Sequence, residues 1–152
     1  MFTVTVTDGD GAVVTRSYTV NVSGADDAPT LAAVSAGSVA EVDQSSGTTD
    51  AGLNGTLAGA DVDVETLSFG ISGVTPVAGV ATQVGSDGTL TVDTATGGYL
   101  YTKNAAAIEA LDATETASDV FTGPGADGEG AEVTRSDTVN VCGADEGLAR
   151  KA

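Results

Sequence analysis

Residues 2–28, FTVTVTDGDGAVVTRSYTVNVSGADDA, return near the other end of the chain as residues 121–147, FTGPGADGEGAEVTRSDTVNVCGADEG. The two stretches align without a gap at an offset of about 119 residues, with about 17 of 27 positions identical. Self-similarity at a fixed period marks a tandem array, in which each period is one structural unit stacked on its neighbours. The 152 residues therefore divide into the final hairpin of a preceding repeat (1–23), an inter-repeat linker (24–30), one repeat (31–142) and a frayed tail (143–152).

Local patterning assigns these pieces to strands. In FTVTVT, Phe2, Val4 and Val6 alternate with threonines, the period-2 signature of a half-buried strand. DGDG at 8–11 is a turn signal, and SYTVNV returns with Tyr18, Val20 and Val22 on the inward face. A second hairpin reads from GTLTVD (88–93) through TATGG to YLYTK (99–103). Further strands are expected near 31–41, 54–59 and 66–72, and only NAAAIEALDA (104–113) reads as helical. The apolar set is mostly Ala and Val, with three Phe, three Tyr and no Trp, so a thin core is expected. About seven short strands between turns predict an all-β immunoglobulin- or cadherin-like sandwich, preceded by the partial repeat.

Charge and residue inventory narrow the function. The formal net charge is −17, with 22 acidic residues against Arg16, Lys103, Arg135, Arg150 and Lys151. Such a surface repels nucleic acid and anionic membranes and attracts cations. No apolar run approaches the roughly 20 residues of a membrane helix. Cys142 is the one cysteine, so no intrachain disulfide forms, and with no histidine in the chain it lacks the usual partner of a nucleophile. GPGADGEG lacks the lysine and the strand–helix context of a phosphate loop. Carboxylates are plentiful, but no glycosidase motif or tryptophan sugar platform accompanies them. The expectation is a non-enzyme.

FTVTVTDGDG, GADDAPT, GTLAGADVDVETLSFGI, GTLTVDTATGGYLYT and NAAAIEALDATETASDVFT resemble, in order and across residues 2–142, the VCBS repeats of very large bacterial surface proteins. These are cadherin-like modules of RTX-type adhesins. The resemblance implies a non-enzymatic structural or adhesive module of a secreted protein, extracellular at the bacterial surface and exported by type I secretion. Its partners would be neighbouring repeats of the same polypeptide, and a surface polysaccharide or another cell. Alternatives are a calcium-dependent polysaccharide-binding module and a degenerate fragment without independent function. The Gly-rich GGxGxD calcium repeats of such proteins do not occur here.

Calcium takes six to eight oxygen ligands, which Asp and Glu clusters on loops supply. Three clusters stand out: Asp26 and Asp27 in the linker, Asp61, Asp63 and Glu65 in ADVDVE, and Asp112 and Glu115 in LDATE. Similarity to cadherin motifs implies a metal-ligand set of Glu41, Asp112 and Glu115, Asp61 and Asp63, Asp127, and Asp26 and Asp27 ahead of Pro29, with Ca2+ between successive repeats. LDATE is one residue longer than the cadherin pattern. In a cadherin-like array junction 24–30 would draw on the following repeat's Asp61, Asp63 and Asp127, and the second junction on Glu41, Asp112 and Glu115, so each site in this chain would be half complete. Calcium affinity in or above about 10⁻⁴–10⁻³ M is expected. DGDG itself is not an EF-hand loop, since Val13 stands where glycine is required and Thr19 where glutamate is.

The second hairpin copy is blurred. Val4 and Val6 become Gly123 and Gly125, Thr5 becomes Pro124, and Tyr18 becomes Asp137. Lost apolar contacts and a strand proline predict a frayed or unformed C-terminal hairpin. Residues 2–22, the better version, would then dock in its place, in permuted fashion or in a strand-swapped dimer.

Overall fold

A computed structural model describes residues 1–63 and 66–145. The chain is nearly all β. The N-terminal hairpin pairs β1 (Phe2–Thr7) with β2 (Val13–Tyr18) as a separate two-stranded sheet. The body begins at β3 (Thr30–Leu31), β4 (Gly37–Glu41), β5 (Thr48–Ala51), β6 (Asn54–Thr56) and β7 (Gly59–Ala60). It continues through β8 (Ser68–Phe69), β9 (Val80–Val84), β10 (Gly88–Asp93) and β11 (Gly98–Lys103). A single helical turn, α1 (Ala105–Ile108), leads into the long final pair, β12 (Thr116–Ala126) and β13 (Glu132–Cys142).

Two sheets sandwich the core. One runs β6-β11-β10-β9 and the other β5-β4-β13-β12-β8, while β3 and β7 form a short antiparallel pair. Alternation on β10 sends Leu90 and Val92 inward, where they meet Val39, Phe121, Val139 and Val141 from the opposite sheet. Tyr101 and Phe121 join the layers edge-to-face, ring centroids 6.0 Å apart. Ile108 of α1 closes one end, almost fully buried. Threonines on the outward face and small apolar residues inside suit strands packed on one side only.

The expected strands at 31–41, 54–59, 66–72, 88–93 and 99–103, and the helical turn, are present, though the first two stretches each split in two and the third keeps only Ser68–Phe69. Patterning missed β5 and β9, whose TTDA and VATQV offer little contrast between faces. The body has eleven strands among the described residues where about seven were expected, through these two omissions and the splitting of single stretches.

Two expectations are overturned. The C-terminal hairpin is neither frayed nor unformed: β12 and β13 pair over eleven positions, from Thr116↔Cys142 to Ala126↔Glu132. Phe121, Val139 and Val141 keep their apolar side chains and anchor it in the core. Pro124 is tolerated because its peptide edge faces β8, accepting from the Gly70 N–H at 3.2 Å. The missing donor therefore costs a bond to a two-residue edge strand and leaves the ladder with β13 intact. Conversely, β1 and β2 are not half-buried. Phe2 is 64% exposed and Val22 89%, and the returning strand ends at Tyr18, before Val20 and Val22.

Candidate functional site

The eight candidate ligands fall into two groups at opposite ends of the long hairpin. Eleven residues at about 3.3 Å each separate the groups by roughly 35 Å.

The first group surrounds the linker. Asp61 and Asp63 lie on the loop after β7, Asp127 opens the β12–β13 turn, and Asp26 and Asp27 come from the linker itself. The Asp27 N–H donates to Asp63 Oδ2 at 2.9 Å, and the Asp63 N–H donates to Asp61 Oδ1 at 2.7 Å. Asp127 Oδ1 accepts the N–H groups of Glu129, Gly130 and Ala131 at 2.9, 2.6 and 2.9 Å, which is why this turn begins with aspartate. The remaining oxygens, Asp127 Oδ2 and Asp61 Oδ2, are buried and accept no hydrogen bond. Asp127 is only 8% exposed. Linker residues Gly24 to Asp26, with Asp63 and Glu129, line a shallow cleft.

Charge crowding registers on Asp26. Desolvation first, and then the charges of Asp127, Asp63 and Asp61, push its carboxyl above the ordinary aspartate value, against a hydrogen bond with Glu129 that works the other way. Glu65 lies outside the described residues.

The second group surrounds residues 143–145, the repeat of the linker's Gly24-Ala25-Asp26. Glu41, at the end of β4 and 8% exposed, accepts the Ala144 N–H on Oε2 at 3.0 Å. The Gly143 N–H donates to the Glu115 carbonyl, and Asp112 and Glu115 close their own turn, the Asp112 N–H donating to Glu115 Oε2 at 2.9 Å. Asp43 Oδ1 accepts the Asp145 N–H, while Asp145 returns its carbonyl to the Gln44 N–H. A side chain at Gly143 would lie 2.6 Å from the Asp112 carbonyl, so only glycine fits.

The structure thus gathers Asp26, Asp27, Asp61, Asp63 and Asp127 at one end, and Glu41, Asp112 and Glu115 at the other. No three acidic or cysteine side chains among the described residues converge into a ready coordination sphere. Asp43, Glu129 and Asp145 join the two groups without having been singled out in the sequence. Asp145 was legible as the repeat of Asp26; Glu129 and Asp43 carried no signal beyond closeness to Asp127 and Glu41.

A third polar cluster serves the fold. Asp119, 5% exposed, accepts from the Ser86 N–H, the Asp87 N–H and the Tyr101 hydroxyl at 2.8, 3.0 and 2.7 Å. This pins the β9–β10 turn to β12. Burial, followed by the charge of Asp119, raises the Asp87 carboxyl. Gly88 leaves room for the Tyr101 ring.

No family model matches the chain, and no curated protein matches it.

Proposed function

We propose that this chain is a non-enzymatic spacer module of a secreted, cadherin-like array, stiffened by calcium at the joints between repeats. The observation that carries the reading is the doubled Gly-Ala-Asp segment. In one copy it lines a cleft with Asp63 and Glu129 and the next residue, Asp27, bonds to Asp63; in the other it rests on Glu41, Asp43 and Glu115. Because the copies are one period apart, they display the two sides of one kind of joint. A complete joint would set the Glu41 and Asp112–Glu115 groups of one repeat and the Asp61, Asp63 and Asp127 group of the next around a single segment.

The donors suit a hard cation. All are oxygens, and the buried Asp127 Oδ2 and Asp61 Oδ2 are left for a ligand by their own hydrogen-bond networks. Asp61, Asp63 and Asp127, with Asp26 of the linker, would hold the ion on one side, and Glu41, Asp112 and Glu115 on the other. Bound calcium would neutralise the crowded carboxylates, among them Asp26, whose carboxyl is raised by desolvation first and then by the charges of Asp127, Asp63 and Asp61, and so would favour the ordered joint. The resemblance to VCBS repeats is what would give the module an extracellular place beside neighbouring repeats.

Calorimetric titration with calcium tests it. Each joint segment in this chain meets one acidic group, so a dissociation constant in or above about 10⁻⁴–10⁻³ M is expected. Asp127→Asn should weaken binding at the linker. Micromolar affinity, or calcium binding indifferent to Asp127→Asn and Glu41→Gln together, contradicts the reading.

A further inference from the structure

The N-terminal hairpin is a finished part without a seat. Its pairing, Phe2↔Tyr18 through Thr7↔Val13, reproduces position by position the register of Phe121↔Asp137 through Ala126↔Glu132. Yet Phe121 is 3% exposed and Phe2 64%; Val141 is 0% exposed and its equivalent, Val22, 89%.

The seated hairpin, for its part, fits its slot imperfectly, and the misfit coincides with the positions where the copies differ. An apolar cavity lined by Leu31, Ile71, Leu90, Val92 and Phe121 ends at Gly123 and Asp137. There the N-terminal copy carries Val4 and Tyr18. Asp137 Oδ1 is buried without a hydrogen-bond partner, and burial raises its carboxyl above the ordinary value. Pro124 cannot donate to the Gly70 carbonyl, which stands 2.5 Å from where a side chain at Gly123 would begin. Thr5 would supply that N–H and draw the carbonyl away from the position Val4 needs. At Gly125 the first side-chain carbon would meet Leu31 at an ordinary 3.7 Å, so the backbone there admits the branch point of Val6. Arg16 matches Arg135, whose Nε donates to the Leu31 carbonyl at 3.0 Å.

We propose that residues 2–22 of one copy of this chain replace residues 121–141 of a second copy, assembling the protein head to tail by hairpin exchange. Thr116–Val120 stays in place, keeping Asp119 on Ser86, Asp87 and Tyr101, and pairs with residues 19–23 of the incoming chain. The exchange fills the cavity with Val4 and Tyr18, removes the half-buried Asp137 carboxylate with its unpartnered Oδ1, and restores the donor to Gly70. The donor's linker then leaves the slot beside the acceptor's Glu41 and runs straight into the donor's own body, fixed there by the Asp27–Asp63 bond and the buried Pro29. The two bodies sit end to end, and the donor's slot faces away from the acceptor. The contact is therefore heterologous and propagates. Docking on its own body is disfavoured. Residue 23 would have to reach the position of Cys142 while Leu31 stays beside Arg135, about 23 Å away, which leaves the eight-residue link nearly taut.

The test is sedimentation of the full chain, refolded from denaturant at concentrations from micromolar to millimolar, in chelator and reductant. Chelator separates the result from calcium, and reductant excludes a Cys142 disulfide. Three proteins are compared: the native chain, a blunted donor (Val4→Gly with Tyr18→Asp), and a repaired acceptor (Pro124→Thr with Asp137→Tyr). The blunted positions are exposed, so that variant retains the body's fold and its far-UV spectrum. The expected result is concentration-dependent assembly of the native chain, weakened at least about tenfold in both variants. A native chain that stays monomeric at every concentration, or a blunted donor that assembles as well as the native chain, overturns the proposal.

Discussion

The two hairpins share their turn, their register and most of their residues, yet one is core and the other is surface. Asp8 and Asp127 show the shared part: each opens its turn by accepting backbone N–H groups two and four residues on. What differs is the surroundings. Residues 121–141 lie against β4, β10 and β11, while among the described residues the strands β1 and β2 pair only with each other. Hairpin geometry is thus local and written in a few turn residues, whereas burial is conferred by the rest of a module.

The sharpest way to break that comparison is to remove the same side chain from each copy. Phe121→Ala should cost about 3–5 kcal/mol in chemical denaturation, since it opens a cavity beneath Tyr101. Phe2→Ala should stay within about 0.5 kcal/mol. Equal costs would mean that the N-terminal hairpin has a seat in the monomer.

The turn aspartates give a smaller contrast. Asp127→Ala strands three N–H groups beside buried surface and should cost about 1–2 kcal/mol in urea melts, against less than about 1 kcal/mol for Asp8→Ala. Pro124→Thr runs the other way, adding a donor to Gly70 and raising stability by about 0.5–1.5 kcal/mol. Thr5→Pro in the free copy gains nothing.

The smallest effect depends on pH. The raised Asp137 carboxyl penalises the folded state once it ionises, so its contribution is harmless at acid pH and turns unfavourable as pH rises through the raised value. Asp137→Asn should therefore raise the melting temperature at pH 7, with the gain shrinking on acidification and gone below about pH 3.9. Tyr18→Asn should show no such profile.

Much of this was legible in the sequence, and for physical reasons. Alternation in FTVTVT, GTLTVD and YLYTK, with DGDG and TATGG as turn signals, marked these strands because side chains on a strand point alternately to two faces. The similarity to cadherin motifs grouped Asp61, Asp63 and Asp127 with the linker and Glu41, Asp112 and Glu115 at the other joint, and the repeat makes Asp145 the counterpart of Asp26 at that other end. Burial was not legible in the same way. Val4 and Val6 look like core in any reading of six residues, and only the absence of a facing sheet makes them surface. Pro124 looked disruptive because sequence does not say that its peptide edge points at a two-residue edge strand. The Asp119 cluster was invisible too: Ser86, Asp87, Tyr101 and Asp119 are scattered along the chain and meet only when β9, β10, β11 and β12 assemble.

The central claim is that the two acidic groups belong to one joint. Its most direct test compares thermal melts, with and without millimolar calcium, of the 152-residue chain and of a chain bearing two consecutive copies of residues 24–142. The account predicts a markedly larger calcium-induced rise in melting temperature for the two-period chain. That extra rise should be lost both by Glu41→Gln in the first period and by Asp127→Asn in the second. Equal rises in the two chains, or an extra rise that survives both substitutions, would contradict it.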